Sequence, residues 1–364
     1  MILKNAKIVL EDDVIHGSLC IENDRIAWIS ATSDEDGIDL GGMYLAPGFV
    51  DQHNHGCPMC WFEHDPGRAA RWHLWEGTTS LLCSLSRHVK LYYSYEQAYE
   101  NIRAVMGPDC PIRGVHMEGP YLDPDFGMCG KKAYPIDREE YMHLIEIGGD
   151  LIRQWTFDPT REGAEEFAGA VQKAGIPLSV CYSRASPELL EQYLKYGLRI
   201  GDHIFDATGV PEERFSGARE PGSDHFVLVE DRMIAELTVD SLSAHVKPYN
   251  LKLAYKCKGP DRIALITDCC AGGDPMGGDV NIVDGKLYGS QLTLSGAVRN
   301  MRAQLGLGIV ELVRMASTTP ARTIGLYDER GSIAPGKVAD LVVLDDDLQV
   351  KGVFLGGRIV RKDF

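Results

Sequence analysis

With 364 residues the chain is too long for one small domain, and 44% hydrophobic with 25% charged residues is ordinary globular composition, enough for a large core. A formal net charge of −16 argues against nucleic-acid or anionic-membrane partners, both of which need a basic patch. No run reaches the ~18 apolar residues of a membrane span, the N-terminus has no apolar signal core, and the ten cysteines show no framework spacing, so a cytoplasmic protein with free thiols is expected.

The first segment, from Ile2 to Leu10, reads as a strand. Ser18–Glu22 and Arg25–Ile29 then flank Asn23-Asp24, a hairpin turn. The C-terminal end behaves alike: Ala339–Leu344 is a strand, and Gly352–Leu355 and Arg358–Val360 flank Gly356-Gly357. Each β region is too small to fold alone, so residues 1–47 and 330–364 are expected to pair into one composite β domain. Between them short apolar runs alternate with helical stretches, the pattern of βα units around a parallel sheet. Strands are predicted at Thr79–Cys83, Ile112–Met117, Ile176–Cys181, Arg199–His203 and Ile263–Thr267. Helices are predicted at Gly163–Ala174, Pro187–Tyr196 and Ile309–Ala316. Residues 48–329 suit a (β/α)8 TIM barrel, and no Gly-x-Gly-x-x-Gly follows the first strand to favour a doubly wound sheet.

In a parallel barrel the reactive side chains sit at the C-terminal ends of strands. Pro47-Gly-Phe-Val-Asp-Gln-His53-Asn-His55-Gly56 places two imidazoles two apart, hence on one side of an extended chain, before a glycine releases it. His116 and Glu118 end a second strand before Gly119-Pro120, His203 ends a third and Asp268 a fourth. Imidazoles and carboxylates hold a divalent cation that lowers the pKa of its water toward ~7. A nearby carboxylate, here Asp268, then acts as general base and returns the proton to a leaving amine. Cys57-Pro-Met-Cys60 has neither a second pair for zinc nor a thioredoxin-like context, so it reads as a loop with two thiols.

Taken in order, Pro-Gly-Phe-Val-Asp…His-x-His-Gly, His116-Met-Glu-Gly-Pro-Tyr121, Asp202-His-Ile-Phe-Asp-Ala207, Arg219-Glu-Pro-Gly222 and Ile266-Thr-Asp268 resemble the amidohydrolase superfamily. Within it the chain resembles the N-acetylglucosamine-6-phosphate deacetylases nearly end to end. Lys258-Gly-Pro-Asp-Arg262, Met315-Ala-Ser-Thr-Thr-Pro-Ala-Arg322 and Ile333-Ala-Pro-Gly-Lys-Val-Ala-Asp-Leu341 extend the likeness. The resemblance implies a TIM barrel with a β-sandwich, one or two divalent ions (zinc first, iron or manganese as alternatives), a small-molecule N-acyl substrate and a homodimer. It implies metal ligation by His53, His55, Glu118 and His203, with Glu118 able to bridge two ions and Asp268 reaching the metal as well as serving as base. It also implies substrate contacts by His245 and Ala207, and a phosphate-binding role for Arg219 that suits a guanidinium fork.

Three positions depart from the family pattern. Where the family has a metal-binding histidine in Gly-His-Ser, this chain has Cys181-Tyr182-Ser183: Tyr182 ligates as phenolate, Cys181 substitutes for it, or that ligand is lost. Cys129 stands where a substrate-binding histidine is expected. Asp206 replaces an asparagine of the phosphate cradle, and a carboxylate 4 Å from a phosphate charge repels it by about 1 kcal/mol even at high dielectric unless Arg219 offsets it. Three readings are therefore carried: an N-acetyl amino-sugar phosphate deacetylase, an amidohydrolase of a different and unphosphorylated amide, and a non-catalytic binding protein on the same fold.

Overall fold

The computed structural model describes residues 1–31, 36–127, 133–272, 274–275, 278–283 and 285–364. Its centre is an eight-stranded parallel sheet, here β1 (Phe49–Asp51), β2 (Thr78–Ser86), β3 (Ile112–Glu118), β4 (Ile152–Phe157), β5 (Leu178–Val180), β6 (Leu198–Gly201), β7 (Ile234–Thr238) and β8 (Ile263–Ile266). The strands pair in chain order, each with the next. Helices such as Pro66–Trp75, Tyr95–Val105 and Ala164–Lys173 lie between them and bury apolar faces against the sheet. The sheet is the TIM barrel expected from the alternation of elements. β1 and β8 meet just beyond their ends: Asp268 N–H donates to His53 O at 3.0 Å, and His55 N–H to Cys269 O at 2.8 Å. Thr267 Oγ1 adds a 2.6 Å hydrogen bond to the buried Asp51 carboxylate, closing the same seam.

The two chain ends build one continuous mixed sheet. Ile2–Val9, Val14–Glu22, Arg25–Ser30, Ile38–Asp39 and Tyr44–Pro47 come from the front of the chain; Leu341–Leu344, Val350–Leu355 and Arg358–Lys362 come from its end. The halves join where Tyr44–Pro47 pairs antiparallel with Leu341–Leu344. This sheet has its own core, including Leu3, Ile8, Leu19, Leu45, Leu341 and Phe354. The C-terminal hairpin turns through Gly356 and Gly357 at φ 54° and 74°, a left-handed pair that side chains resist.

Two barrel strands are absent from the sequence expectation, β4 and β7. Both carry polar residues on the barrel's inside, Gln154 and Thr156 in one, Glu236 and Thr238 in the other, all fully buried. Polar side chains there break the apolar run that marks a buried strand. The helix predicted over Ile309–Ala316 ends at Val313, and Arg314–Thr318 continues it as a wider π turn.

Candidate metal centre

The strand ends β1, β3, β6 and β8 deliver His53, His55, Glu118, His203 and Asp268 to one place. His53, His55 and Glu118 offer ligand atoms within 4.8 Å of one another, and so do Asp206, His245 and Asp268. Glu118 lies in the middle: Oε1 is 3.5 Å from His53 Nε2 and 3.3 Å from His203 Nε2, and Oε2 is 3.6 Å from His55 Nε2. Asp268 Oδ1 is 3.3 Å from His55 Nε2 and 3.9 Å from His53 Nε2.

All three imidazoles are oriented by the nitrogen that faces away. His53 Nδ1 donates to the Glu236 carboxylate at 2.8 Å, His55 Nδ1 to the Ser84 carbonyl at 3.0 Å, and His203 Nδ1 to the Asp206 carbonyl at 3.1 Å. These acceptors have no hydrogen to give, so each Nδ1 carries the proton and each Nε2 turns toward the carboxylates. The buried His53 Nε2 has no hydrogen-bond partner among the described residues. Such an arrangement fits a divalent cation, because imidazole ligands are held this way in metal sites. Burial works to lower the pKa of His203, yet the hydrogen bond to Glu118 and the charges of Asp268 and Glu118 together outweigh it and push the group up to about 10. Burial likewise works to raise Glu118, but His55, His203 and His53 hold it well below the usual carboxylate range.

Glu236 on β7 was not among the sequence candidates. Its Oε1 accepts from Gln52 at 2.6 Å and Gln154 at 3.1 Å while Oε2 takes His53. The available signal was a lone carboxylate between Ala235 and Leu237 in an otherwise apolar stretch.

The backbone is strained where the site is built. Tyr182, His203, Phe205, Ala207 and Asp268 all have positive φ, at 45°, 28°, 73°, 50° and 48°. Residues without the freedom of glycine adopt this region at a cost of about 1–3 kcal/mol each, which the surrounding packing must offset. Above the centre opens a cleft, lined by His55, Trp61, Glu118, Tyr182, Asp206, Ala207, Asp268, Tyr288 and Gly289 among others. Its mix of aromatic walls and convergent polar groups is the make-up of a small-molecule site. Tyr288 and Gly289 come from Lys286–Ser290, which pairs with Val280–Val283 beside β8.

The remaining candidates fall unevenly. Tyr182 lines the cleft with its ring 5.1 Å from that of His203, centroid to centroid. Burial and the negative charge of Glu118 push its phenol well above the ordinary range, which favours the neutral hydroxyl over the phenolate. His245 is buried, Nδ1 held by Asp240 at 3.0 Å and Nε2 near the Gly289 carbonyl at 3.2 Å. Asp206 lines the cleft and keeps company with His245 and Asp268. Arg219 is exposed on the segment after β6 and is not among the residues that line the cleft. That segment carries several charged residues and few apolar ones, so little burial draws it inward. Cys129 lies outside the described residues. His116 is held inside the barrel by Ser84 and Thr156. Cys57 and Cys60 sit in a small hairpin with sulfurs 3.5 Å apart, and burial with the neighbouring thiol pushes Cys60 up to about 12, which makes it a poor nucleophile.

Residues 239–360 match the amidohydrolase family model. The chain is 28% identical to the N-acetylglucosamine-6-phosphate deacetylase of Lysinibacillus sphaericus over 363 residues, covering 93% of this chain and 92% of that one. It is 30% identical over 274 residues to the N-acetylgalactosamine-6-phosphate deacetylase of Escherichia coli O157:H7, covering 70% of this chain and 69% of the relative. The crystal structure of the N-acetylglucosamine-6-phosphate deacetylase from Pasteurella multocida superposes with a TM-score of 0.85 at 26% identity over 99% of both chains. With a closed parallel barrel, ligand-bearing strand ends and relatives matching along nearly its whole length, the chain belongs to the amidohydrolase family, hydrolases of amide bonds.

Proposed function

We propose that the protein removes the N-acetyl group from an amino sugar phosphate of the N-acetylhexosamine-6-phosphate type. The observation that carries this reading is the convergence of three oriented Nε2 atoms on Glu118 and Asp268 at the floor of the cleft. Similarity to named deacetylases along the chain supports the substrate class.

In this reading His53, His55, Glu118 and His203 hold one or two cations, with Asp268 beside them. Nitrogen and carboxylate donors suit zinc first, with iron or manganese as alternatives. When bound, the cation supplies Lewis acidity that makes water nucleophilic near neutral pH and polarises the amide carbonyl. Asp268 accepts the proton of the attacking water and passes it to the leaving amine nitrogen. Burial pushes the Asp268 carboxyl up, but His55, His53 and His203 outweigh it and hold it below its usual value, so it is ionised and ready to accept. Strained backbone at Ala207 and the fixed ring of His245 position the sugar, with Tyr182 and Asp206 on the cleft wall. A homodimer in the cytoplasm belongs to the same proposal. The nine described cysteines are free thiols, and among the described residues no helix is long and apolar enough to cross a membrane.

A second reading, an amidohydrolase of an unphosphorylated amide, is favoured by one observation. The described lining of the cleft holds Glu118, Asp206 and Asp268 and no lysine or arginine to receive a phosphate. Amine release from N-acetylglucosamine-6-phosphate, N-acetylglucosamine and N-acetyl amino acids separates the two. Strict phosphate dependence removes the second reading, and turnover of only the unphosphorylated amides removes the first. In either case Asp268→Asn is expected to lose about 10²–10⁴-fold in turnover with the fold intact; full activity in that variant overturns the mechanism.

A further inference from the structure

Glu118 faces two sets of ligand atoms. On one side are His53 and His55; on the other are His203 and the sulfur of Cys181, with the Glu118, Cys181 and His203 donor atoms all within 4.8 Å of one another. Cys181 directly follows β5, is fully buried, and has no hydrogen-bond partner among the described residues. Next to it the chain turns sharply: Tyr182 takes φ 45°, its carbonyl accepts from Asp123 N–H at 3.1 Å, and its ring packs over Gly127. An added Cβ at Gly127 would come within 2.9 Å of that ring. The tyrosine is thus turned to the cleft wall, and the inner position is left to the sulfur.

We propose that Cys181 is a metal ligand, completing with Glu118 and His203 a second cation site that shares Glu118 with the His53–His55 site. This rests on Glu118 and His203 binding metal, as proposed above. On binding, the thiol proton leaves to solvent and the sulfur coordinates as thiolate. One thiolate, one imidazole and one carboxylate make a softer donor set than imidazole and carboxylate alone. The site is therefore expected to take zinc, cobalt or cadmium and to discriminate against manganese and magnesium.

The test is optical and needs no substrate. The full-length protein is stripped with a chelator and titrated with cobalt(II). A near-ultraviolet thiolate-to-cobalt charge-transfer band is expected in the wild type and in Cys57→Ser and Cys270→Ser. It is expected to vanish in Cys181→Ser together with one equivalent of bound cobalt, while the equivalent held by His53 and His55 remains and reports that the fold is intact. Cobalt bound by the wild type without the band, or a band that survives in Cys181→Ser, overturns the proposal. A wild type that binds no cobalt at all overturns the metal centre itself, a different and distinguishable failure.

Discussion

Glu236 touches no substrate, yet its replacement by glutamine is expected to weaken the metal centre more than any isosteric change at the barrel's outer face. The carboxylate takes three donors: Gln52 and Gln154 on Oε1, His53 on Oε2. A glutamine has one oxygen and one NH2 in their place. If the NH2 faces Gln52 and Gln154, two hydrogen bonds are lost in a fully buried position. If it faces His53, one is lost, so this orientation is preferred. It sets a donor against His53 Nδ1–H, and the imidazole must carry its proton on Nε2 instead, the atom aimed at the cation. A hydrogen bond to a charged group is worth about 1.5–3 kcal/mol, and loss of such an orienting partner lowers metal affinity about 10–100-fold. At about 1.4 kcal/mol per tenfold the two figures agree. Zinc affinity measured by competition with a chromophoric chelator is therefore expected to fall by that factor in Glu236→Gln, with circular dichroism unchanged. Affinity within about twofold of the wild type would refute the claim that Glu236 sets the His53 tautomer.

Removing the cation with a chelator is expected to lower the melting temperature and zinc to restore it; a site saturated at 100–1,000 times its Kd contributes about 3–4 kcal/mol. Gly289 has φ 55°, and a Cβ there would meet the Asp268 carbonyl at 2.7 Å and the Cys270 sulfur at 2.9 Å, so Gly289→Ala is expected to displace Asp268 and reduce kcat more than it reduces the melting temperature. Burial lowers the pKa of His73 to about 4 although its Nε2 donates to the Gly56 carbonyl at 2.7 Å. The unfolded chain, titrating near ~6.5, binds this proton first, so stability is full above that pH and falls as pH drops from about 6.5 to 4, by about 3 kcal/mol. Urea unfolding at about pH 7 and pH 5 should show a smaller difference in His73→Gln than in the wild type; equal differences would refute the assignment.

What could be read from the residues alone depended on where each polar group faces. His53, His55 and Glu118 announce themselves because an extended chain puts alternate residues on one side and a glycine or proline follows. Asp268 and His203 stand after apolar runs for the same reason. Glu236 escaped because it lies in mid-strand, where a carboxylate interrupts the very pattern by which a strand is recognised. Arg219 shows the opposite limit: a motif places it in sequence, but which loop folds over a cleft is decided by burial that short motifs do not encode. Cys181 and Tyr182 are alternatives in the sequence because which of two neighbours points inward depends on the local φ, and φ 45° at Tyr182 is not written in any propensity.

The seam between the first and last barrel strands has a consequence for how the protein comes to hold its metal. Asp51 and Thr267, which close it, are 216 residues apart in the chain. The seam bonds pass through His53, His55 and Asp268 themselves. During synthesis the two histidines emerge early and wait, unpaired with their acid, until the eighth strand arrives. A cation captured before then meets only part of its ligand set, whereas one that arrives afterwards also fastens the barrel shut. Completing the barrel thus also completes the ligand set, and a chain truncated short of β8 is expected to bind its cation more weakly than the full chain.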